Sequence, residues 1–226
     1  MDYIVYLLAS FIAVMLVVTI HEFAHAFVAY KCGDPTAKFA GRMTLNPIKH
    51  FDLTGVLFFA VAGFGWAKPV PVNPNNFKNY KWGSFFTSIA GVAVNYLSAF
   101  LFYGLYMLVA RFVAPVFAGK YMATFLVRLP FLAYSYSISF AVFNLLPFYP
   151  LDGFRMWDAL DRKRGKALRF LRNYGYYILI GLIAINFLSQ YVPFLGYINL
   201  LGYAMQYIGH YISVPITALW GWIFGI

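Results

Sequence analysis

Long apolar runs separated by short basic segments dominate this chain. The first run, residues 3–30, is almost wholly apolar for its first eighteen positions and then carries His21, Glu22 and His25. About 20 apolar residues suffice for a helix to cross the hydrocarbon core of a bilayer. The run therefore predicts a transmembrane helix with polar chemistry in its second half.

Further runs predict four more spanning helices, at 84–113, 131–148, 174–192 and 196–224. The segment 151–173 between them is strongly basic and carries apolar residues among its charges. That pattern predicts a helix lying on the membrane surface.

The apolar run at 53–65 is too short to cross a bilayer as a helix. Prolines at 69, 71 and 74 exclude a helix immediately after it. We expect a re-entrant hairpin or a small membrane-associated β segment near 53–72.

The whole pattern predicts an all-α polytopic membrane protein with about five to six transmembrane helices. We expect one domain over 1–226, with a core over about 1–160 and C-terminal helices over about 174–226. The composition agrees, because 62% of the residues are apolar and 11% are charged, whereas soluble domains average about half and a quarter.

The positive charge points to a membrane and not to nucleic acid. The net charge is +10, but the basic residues lie between apolar runs and form no continuous stripe. If the 53–65 run is re-entrant, 14 of the 17 Lys and Arg share one side, in 31–52, 66–83 and 151–173. The positive-inside rule then predicts a cytosolic position for that side and an outside N-terminus.

The motif His21-Glu22-Phe23-Ala24-His25 is the chain's clearest chemical signal. Histidines four apart on a helix share one face, so both imidazoles can reach one ion. Two His and an adjacent Glu suit a catalytic Zn²⁺, with Glu22 as general base. Glu22 is also the only glutamate in the chain, and ionisable residues in a membrane helix indicate function more often than helix packing.

A catalytic zinc ion needs a third protein ligand. Asp152 directly follows a predicted span, with Pro147 and Pro150 before it and Gly153 after it. We expect Gly153 to supply the backbone freedom that aims the carboxylate inward. His50 and His210 remain alternative third ligands.

Together, His21-Glu22-Phe23-Ala24-His25 and Asn144…Pro147…Pro150-Leu151-Asp152-Gly153 resemble the site-2 protease family of intramembrane zinc metalloproteases. The resemblance covers about residues 10–160. It implies that His21, His25 and Asp152 bind one zinc ion, that Glu22 is the general base, and that Asn144 helps to hold the water or the oxyanion.

Gly91-Val92-Ala93-Val94-Asn95 resembles a second motif of that family, with Val92 where a proline is usual. It implies a substrate-contacting role for Asn95. The resemblance further implies a membrane-spanning protein substrate, a bilayer setting and an active site toward the cytosol. We expect a bacterial or archaeal plasma membrane. No stretch is long and polar enough for the PDZ or nucleotide-binding domain of larger members.

Two other functions fit some of these features. One is an inactive relative that keeps zinc and acts as a membrane-binding module, and intact Glu22 argues against it. The other is an ion transporter that uses His21, Glu22 and His25 as a path, but the chain shows no inverted repeat.

Overall fold

The computed structural model describes residues 2–52, 54–55, 67–117, 119–161, 163 and 165–225. In chain order its helices are α1 (Asp2–Lys31), α2 (Thr36–Phe39), α3 (Tyr80–Leu108), α4 (Lys120–Leu145), α5 (Asp152–Leu160), α6 (Lys166–Leu188), α7 (Pro193–Gly196) and α8 (Leu200–Phe224). Short 3₁₀ turns occupy Pro47–His50 and Pro74–Asn76, and α3 continues through a π turn at Val109–Val113. The described residues include no β-strand.

By length and apolar composition, four helices in the described part of the chain are able to cross a membrane. They are Asp2–Lys31, Tyr80–Val116, Lys120–Leu145 and Lys166–Leu188. The all-helical membrane class is therefore confirmed, but the predicted count of five to six spans is not. The helix α8, which covers most of the predicted last span, does not belong to this set.

The core of the molecule is a bundle of α1, α3 and α4, with α5 packed against α3. Its buried core includes small residues: Ala9 and Ala13 on α1, Ala99 on α3 and Ala133 on α4. Small side chains let helix backbones approach closely, which is the main source of packing energy between helices in lipid. Many large apolar side chains point outward from the bundle, as a lipid solvent permits.

Two predicted helix boundaries are wrong. The helix α4 begins at Lys120 and not near 131, and it contains the buried Pro130. A proline in a membrane helix is tolerated where neighbouring helices and local adjustments compensate for its missing N–H.

The predicted surface helix 151–173 is also two elements, because α5 ends at Leu160 and α6 begins at Lys166. The Asp161 carboxylate accepts backbone N–H groups of Lys163 and Gly165, which stabilises the turn between them.

Charged groups define one end of the bundle, which we call the Asp2 end. Lys120 Nζ lies 3.9 Å from the Asp2 carboxylate, and Arg128 donates to the Asp2 carbonyl at 3.4 Å. Because α1 and α4 both begin here, both end at the other side of the bundle, which we call the Lys31 end.

The helix α8 runs from the Lys31 end to the Asp2 end. Gly209 packs against Ile138 of α4, and further along α8 Trp220 Nε1 donates to the Phe100 carbonyl of α3 at 2.8 Å. The last residue of α8, Phe224, accepts a hydrogen bond from Arg111 just past the end of α3. A helix of 25 residues is about 37 Å long, so α8 traverses the whole bundle.

The helix α6 stays at the Lys31 end. Its middle contacts the loop after α4, where Gly175 lies against Tyr149. Near its end, Asn186 accepts a hydrogen bond from Asn199, the residue that caps the start of α8. Both contacts lie at the end where α4 finishes and α8 begins, although the apolar composition of α6 would allow a crossing.

The predicted re-entrant segment near 53–72 lies largely outside the described residues, since Leu53 and 56–66 are not described. Its flanks are described. Phe51 and Ala67 form an isolated antiparallel bridge, and the Lys68 N–H donates to the His50 carbonyl at 3.0 Å. The two described flanks of this segment therefore lie side by side.

Candidate metal centre

Three buried side chains converge between α1 and the start of α5. His25 Nε2 lies 3.1 Å and His21 Nε2 lies 3.4 Å from the same oxygen of Asp152, Oδ2. The two Nε2 atoms are 3.0 Å apart. Among the described residues, these three form the group of His, Cys, Asp and Glu side chains that fits a metal ion.

The spacing of the three atoms fits tetrahedral zinc. With bonds of about 2.0–2.1 Å, ligand atoms of a tetrahedral site lie about 3.3 Å apart. The three separations here run from 3.0 to 3.4 Å. Asp152 Oδ2 is buried and has no hydrogen-bond partner. Electron-rich atoms held this close, one of them an orphaned carboxylate oxygen, suit a cation between them.

The outward nitrogens of both imidazoles contact α3. His25 Nδ1 lies 2.7 Å from the backbone carbonyl of Thr87, which can only accept a hydrogen bond. His25 is therefore protonated on Nδ1 and presents the lone pair of Nε2 to the group. His21 Nδ1 lies 3.1 Å from the side-chain amide of Asn95.

Gly91 of α3 leaves room for both histidines. A Cβ atom at this position would lie 2.5 Å from His21 Cε1 and 2.5 Å from His25 Nε2. Thr87, Gly91 and Asn95 are spaced four residues apart, so one stripe of α3 supports the two imidazoles.

Asp152 occupies the first residue of α5, immediately after the loop that follows α4. The explanation expected for Gly153 is wrong, because Gly153 is not among the glycines with positive φ. A Cβ there would overlap the backbone of Leu145 and Leu146, so Gly153 is needed for close packing.

Glu22 lies beside the group and contacts an extended segment, residues 67–73. Its Oε2 accepts the backbone N–H of Val70 at 2.8 Å. Glu22 is half-buried and, with His21 and His25, lines a cavity of about 580 Å³. The predicted general base and the predicted metal ligands therefore line the same cavity.

The 67–73 segment is held at both ends. Arg42 donates to the Lys68 carbonyl at 2.5 Å, and the buried Asp34 carboxylate accepts the Asn73 N–H at 2.7 Å. Asp34 also accepts from Thr36 and Asn76. Burial alone raises the pKa of Asp34, but these hydrogen bonds lower it below its ordinary value of 3.8.

Other predicted residues take distinct positions. Asn144 lines the same cavity, and its Nδ2 donates to the Phe140 carbonyl. Asn95 is fully buried, and its predicted contact with substrate stays a prediction. The alternative ligands lie elsewhere: His50 Nε2 lies 2.8 Å from the Thr44 carbonyl, and His210 is exposed on α8.

The sequence did not reveal the contact of the Thr87 carbonyl with His25, that of the Val70 N–H with Glu22, or the packing role of Gly91. Only Gly91 had a readable signal, since it lies four residues before Asn95 in a helix. The Thr87 carbonyl and the Val70 N–H are backbone groups, so the residue type at those positions does not indicate their contacts.

Comparison with known proteins assigns the class. The family model described as Peptidase family M50 matches residues 110–188. “Putative zinc metalloprotease YwhC” of Bacillus subtilis (strain 168) is 38% identical over 188 residues, covering 82% of this chain and 84% of that protein. This chain belongs to peptidase family M50, the site-2 protease family.

A second relative is “Putative zinc metalloprotease Rip2” of Mycolicibacterium smegmatis (strain ATCC 700084 / mc(2)155). It is 29% identical over 178 residues, covering 76% of this chain and 65% of that protein. Both relatives are named for zinc, the metal that His21, His25 and Asp152 fit. No solved structure matches this chain.

Proposed function

We propose that this protein is an intramembrane zinc metalloprotease that hydrolyses peptide bonds in membrane-spanning protein substrates. One observation carries the proposal: His21, His25 and Asp152 converge within zinc-ligating spacing, and Glu22 lines the adjoining cavity. The whole chain, 1–226, forms one peptidase domain, with its catalytic core over about 1–160.

His21, His25 and Asp152 would hold the zinc ion, which would supply Lewis-acid activation of a water molecule and of the substrate carbonyl. Glu22 takes the proton from that water and delivers it to the leaving amine. The Val70 N–H orients the Glu22 carboxylate for this transfer. Asn144, on the cavity wall, donates to the developing oxyanion through the N–H of its side-chain amide that the Phe140 carbonyl does not use.

The substrate lies in the cavity as an extended chain. A helix hides its carbonyl groups in internal hydrogen bonds, so the scissile bond is reachable only after local unwinding. The 67–73 segment is non-helical and lines the cavity through Ala67, Pro69, Val70 and Val72. Pairing of the substrate backbone with the edge of the segment near 53–72 would hold it in this form.

We propose that α1, α3, α4 and α8 cross the membrane and that α6 lies along the surface at the Lys31 end. The α8 contacts with α3 and α4, and the contacts of α6 at its middle and near its end, support this arrangement. No Asp, Glu, Lys or Arg occurs in α8, which suits a crossing. The re-entrant position of the segment near 53–72 is supported by the Phe51–Ala67 bridge.

The charge distribution supports one orientation of the protein in the membrane. Arg111, Lys120 and Arg128 lie at the Asp2 end, and the other 14 Lys and Arg fall in the segments assigned to the opposite side. The positive-inside rule then favours a cytosolic position for the Lys31 end and the active site. We propose a bacterial or archaeal plasma membrane as the setting.

The test compares purified wild type with the variants Glu22→Gln and His25→Gln on a model membrane substrate. Glu22→Gln should bind about one zinc ion per chain and cleave nothing, because it keeps the ligands and loses the base. His25→Gln should lose both zinc and cleavage. The matched control is His210→Gln, which removes an exposed histidine and should keep both.

Cleavage by Glu22→Gln at the wild-type rate would exclude the proposed base. Zinc binding without cleavage in the wild type would indicate a binding module. A wild type that binds no zinc would exclude the peptidase altogether.

A further inference from the structure

The side chain of Asn95 has one contact in the metal centre and one unsatisfied atom. Its Nδ2 lies 3.1 Å from His21 Nδ1. Its Oδ1 is fully buried and has no hydrogen-bond partner. Buried polar atoms without a partner are uncommon and call for an explanation.

With Nδ2 facing His21 Nδ1, the Asn95 amide conflicts with metal binding at His21 Nε2. If Asn95 Nδ2 donates to Nδ1, then Nδ1 is the acceptor and the imidazole proton sits on Nε2. That proton would point at Asp152 and His25 and would occupy the lone pair that a metal ion needs. A neutral imidazole has one proton, so the contact on one nitrogen decides the state of the other.

Turning the amide by about 180° removes the conflict. Amide oxygen and nitrogen have nearly the same shape, so both orientations fit the same space. In the turned form, Asn95 Oδ1 accepts the His21 Nδ1–H, and Nε2 presents its lone pair to the group. Oδ1 then has a donor, whereas Nδ2 takes over the buried position that has no hydrogen-bond partner.

We propose that Asn95 is the positioning residue that holds His21 in its metal-binding tautomer, through Oδ1 accepting the Nδ1–H. Asn95 does for His21 what the Thr87 carbonyl does for His25. The two acceptors are eight residues apart on α3, so one face of that helix sets the protonation of both imidazoles. This inference rests on the proposed zinc-binding role of His21.

The experiment measures zinc affinity by chelator competition for wild type, Asn95→Leu, Asn95→Asp and Ser137→Ala. Leu matches Asn in shape without an acceptor, whereas Asp keeps the acceptor. Loss of a hydrogen bond behind a metal-bound histidine typically lowers affinity about 10- to 100-fold. We expect that loss in Asn95→Leu and wild-type or tighter binding in Asn95→Asp.

Ser137→Ala is the control for packing. Ser137 is fully buried on α4, and its hydroxyl has no partner, so this variant should bind zinc as the wild type does. Asn95→Leu binding zinc like the wild type would overturn the inference, and so would Asn95→Asp losing as much affinity as Asn95→Leu.

Nitrogen NMR of ¹⁵N-histidine-labelled wild type tests the same point without altering Asn95, should the Leu variant fail to fold. Of the four histidines, His50 and His210 are identified with His50→Gln and His210→Gln. The contact with the Thr87 carbonyl requires Nδ1–H on His25, so a differing tautomer among the two remaining signals belongs to His21. In the zinc-loaded protein His21 should carry its proton on Nδ1 and the metal on Nε2. The reverse arrangement would exclude the proposed role of Asn95.

The outcomes separate this inference from the proposed function. A wild type that binds zinc and cleaves, with unchanged affinity in Asn95→Leu, overturns only the role of Asn95. A wild type without zinc overturns both.

Discussion

Oε2 of Glu22 lies 2.8 Å from the backbone nitrogen of Val70, 48 residues away in the chain. This hydrogen bond joins the predicted catalytic base to the extended segment that lines the cavity. Arg42 and Asp34 hold that segment on either side of Val70. The position of the Glu22 carboxylate therefore depends on contacts outside α1, the helix that carries Glu22.

The variant Val70→Pro should slow cleavage while leaving zinc bound. Proline removes the N–H that Glu22 accepts and keeps the segment extended. A hydrogen bond to a charged group contributes about 1.5–3 kcal/mol, so we expect roughly a 10- to 100-fold loss of kcat. Val70→Ala keeps the N–H and is the matched control. Equal rates for the two variants would show that this hydrogen bond does not orient Glu22.

Gly91→Ala should weaken zinc binding and destabilise the protein. The added Cβ would lie 2.5 Å from both His21 Cε1 and His25 Nε2, so α1 and α3 must separate or the imidazoles must turn. Chelator competition and thermal unfolding in detergent measure the two effects.

Gly181→Ala serves as the comparison for Gly91→Ala. A Cβ on Gly181 of α6 would meet no atom within 4 Å, and alanine favours a helix over glycine by up to about 1 kcal/mol. Gly181→Ala should therefore be neutral or stabilising. If Gly91→Ala is also neutral or stabilising, α3 does not pack closely against His21 and His25.

Asp34→Asn should remove a pH-dependent part of the stability. The folded-state pKa of Asp34 lies below the ordinary 3.8. Its stabilising contribution is therefore present above about pH 4 and is lost as pH falls through the folded-state value. The difference in Tm between wild type and Asp34→Asn should be largest near neutral pH and should shrink below about pH 4.

The control for this titration is Asp2→Asn, which changes an exposed carboxylate 3.9 Å from Lys120. It should show little difference in Tm at any pH. If the difference in Tm between wild type and Asp34→Asn were the same at all pH values, the stabilising role of the Asp34 charge would be contradicted.

The C-terminus should lie on the same side of the membrane as the N-terminus. In the structure Phe224 contacts Arg111, and Lys120 and Arg128 contact Asp2 at that same end of the bundle. Five crossings would instead place the two termini on opposite sides. Reporter fusions that are active only outside or only inside the cell, attached after residue 226, distinguish the two arrangements. A cytosolic C-terminus together with an outside N-terminus would refute the surface position of α6.

The sequence predicted what depends on neighbours along the chain. Helical periodicity placed His21, Glu22 and His25 on one turn of a membrane helix, and apolar runs indicated where helices occur. Boundaries were predicted less well: the span predicted from 131 begins at Lys120, because α4 continues through Pro130, which is buried among neighbouring helices. The five-span count came from composition, which does not report where α6 and α8 lie relative to the other helices.

Tertiary packing decided the remaining features of the site. Asp152 reaches the two histidines because α5 packs on α3, and α3 in turn contacts His21 and His25 through Asn95, Gly91 and the Thr87 carbonyl. Motif and resemblance named Asp152, but its spacing from the imidazoles depends on three helices. Local hydrogen bonds along a helix determine which residues share a face, whereas the distances between faces follow from side-chain volumes on helices far apart in the chain.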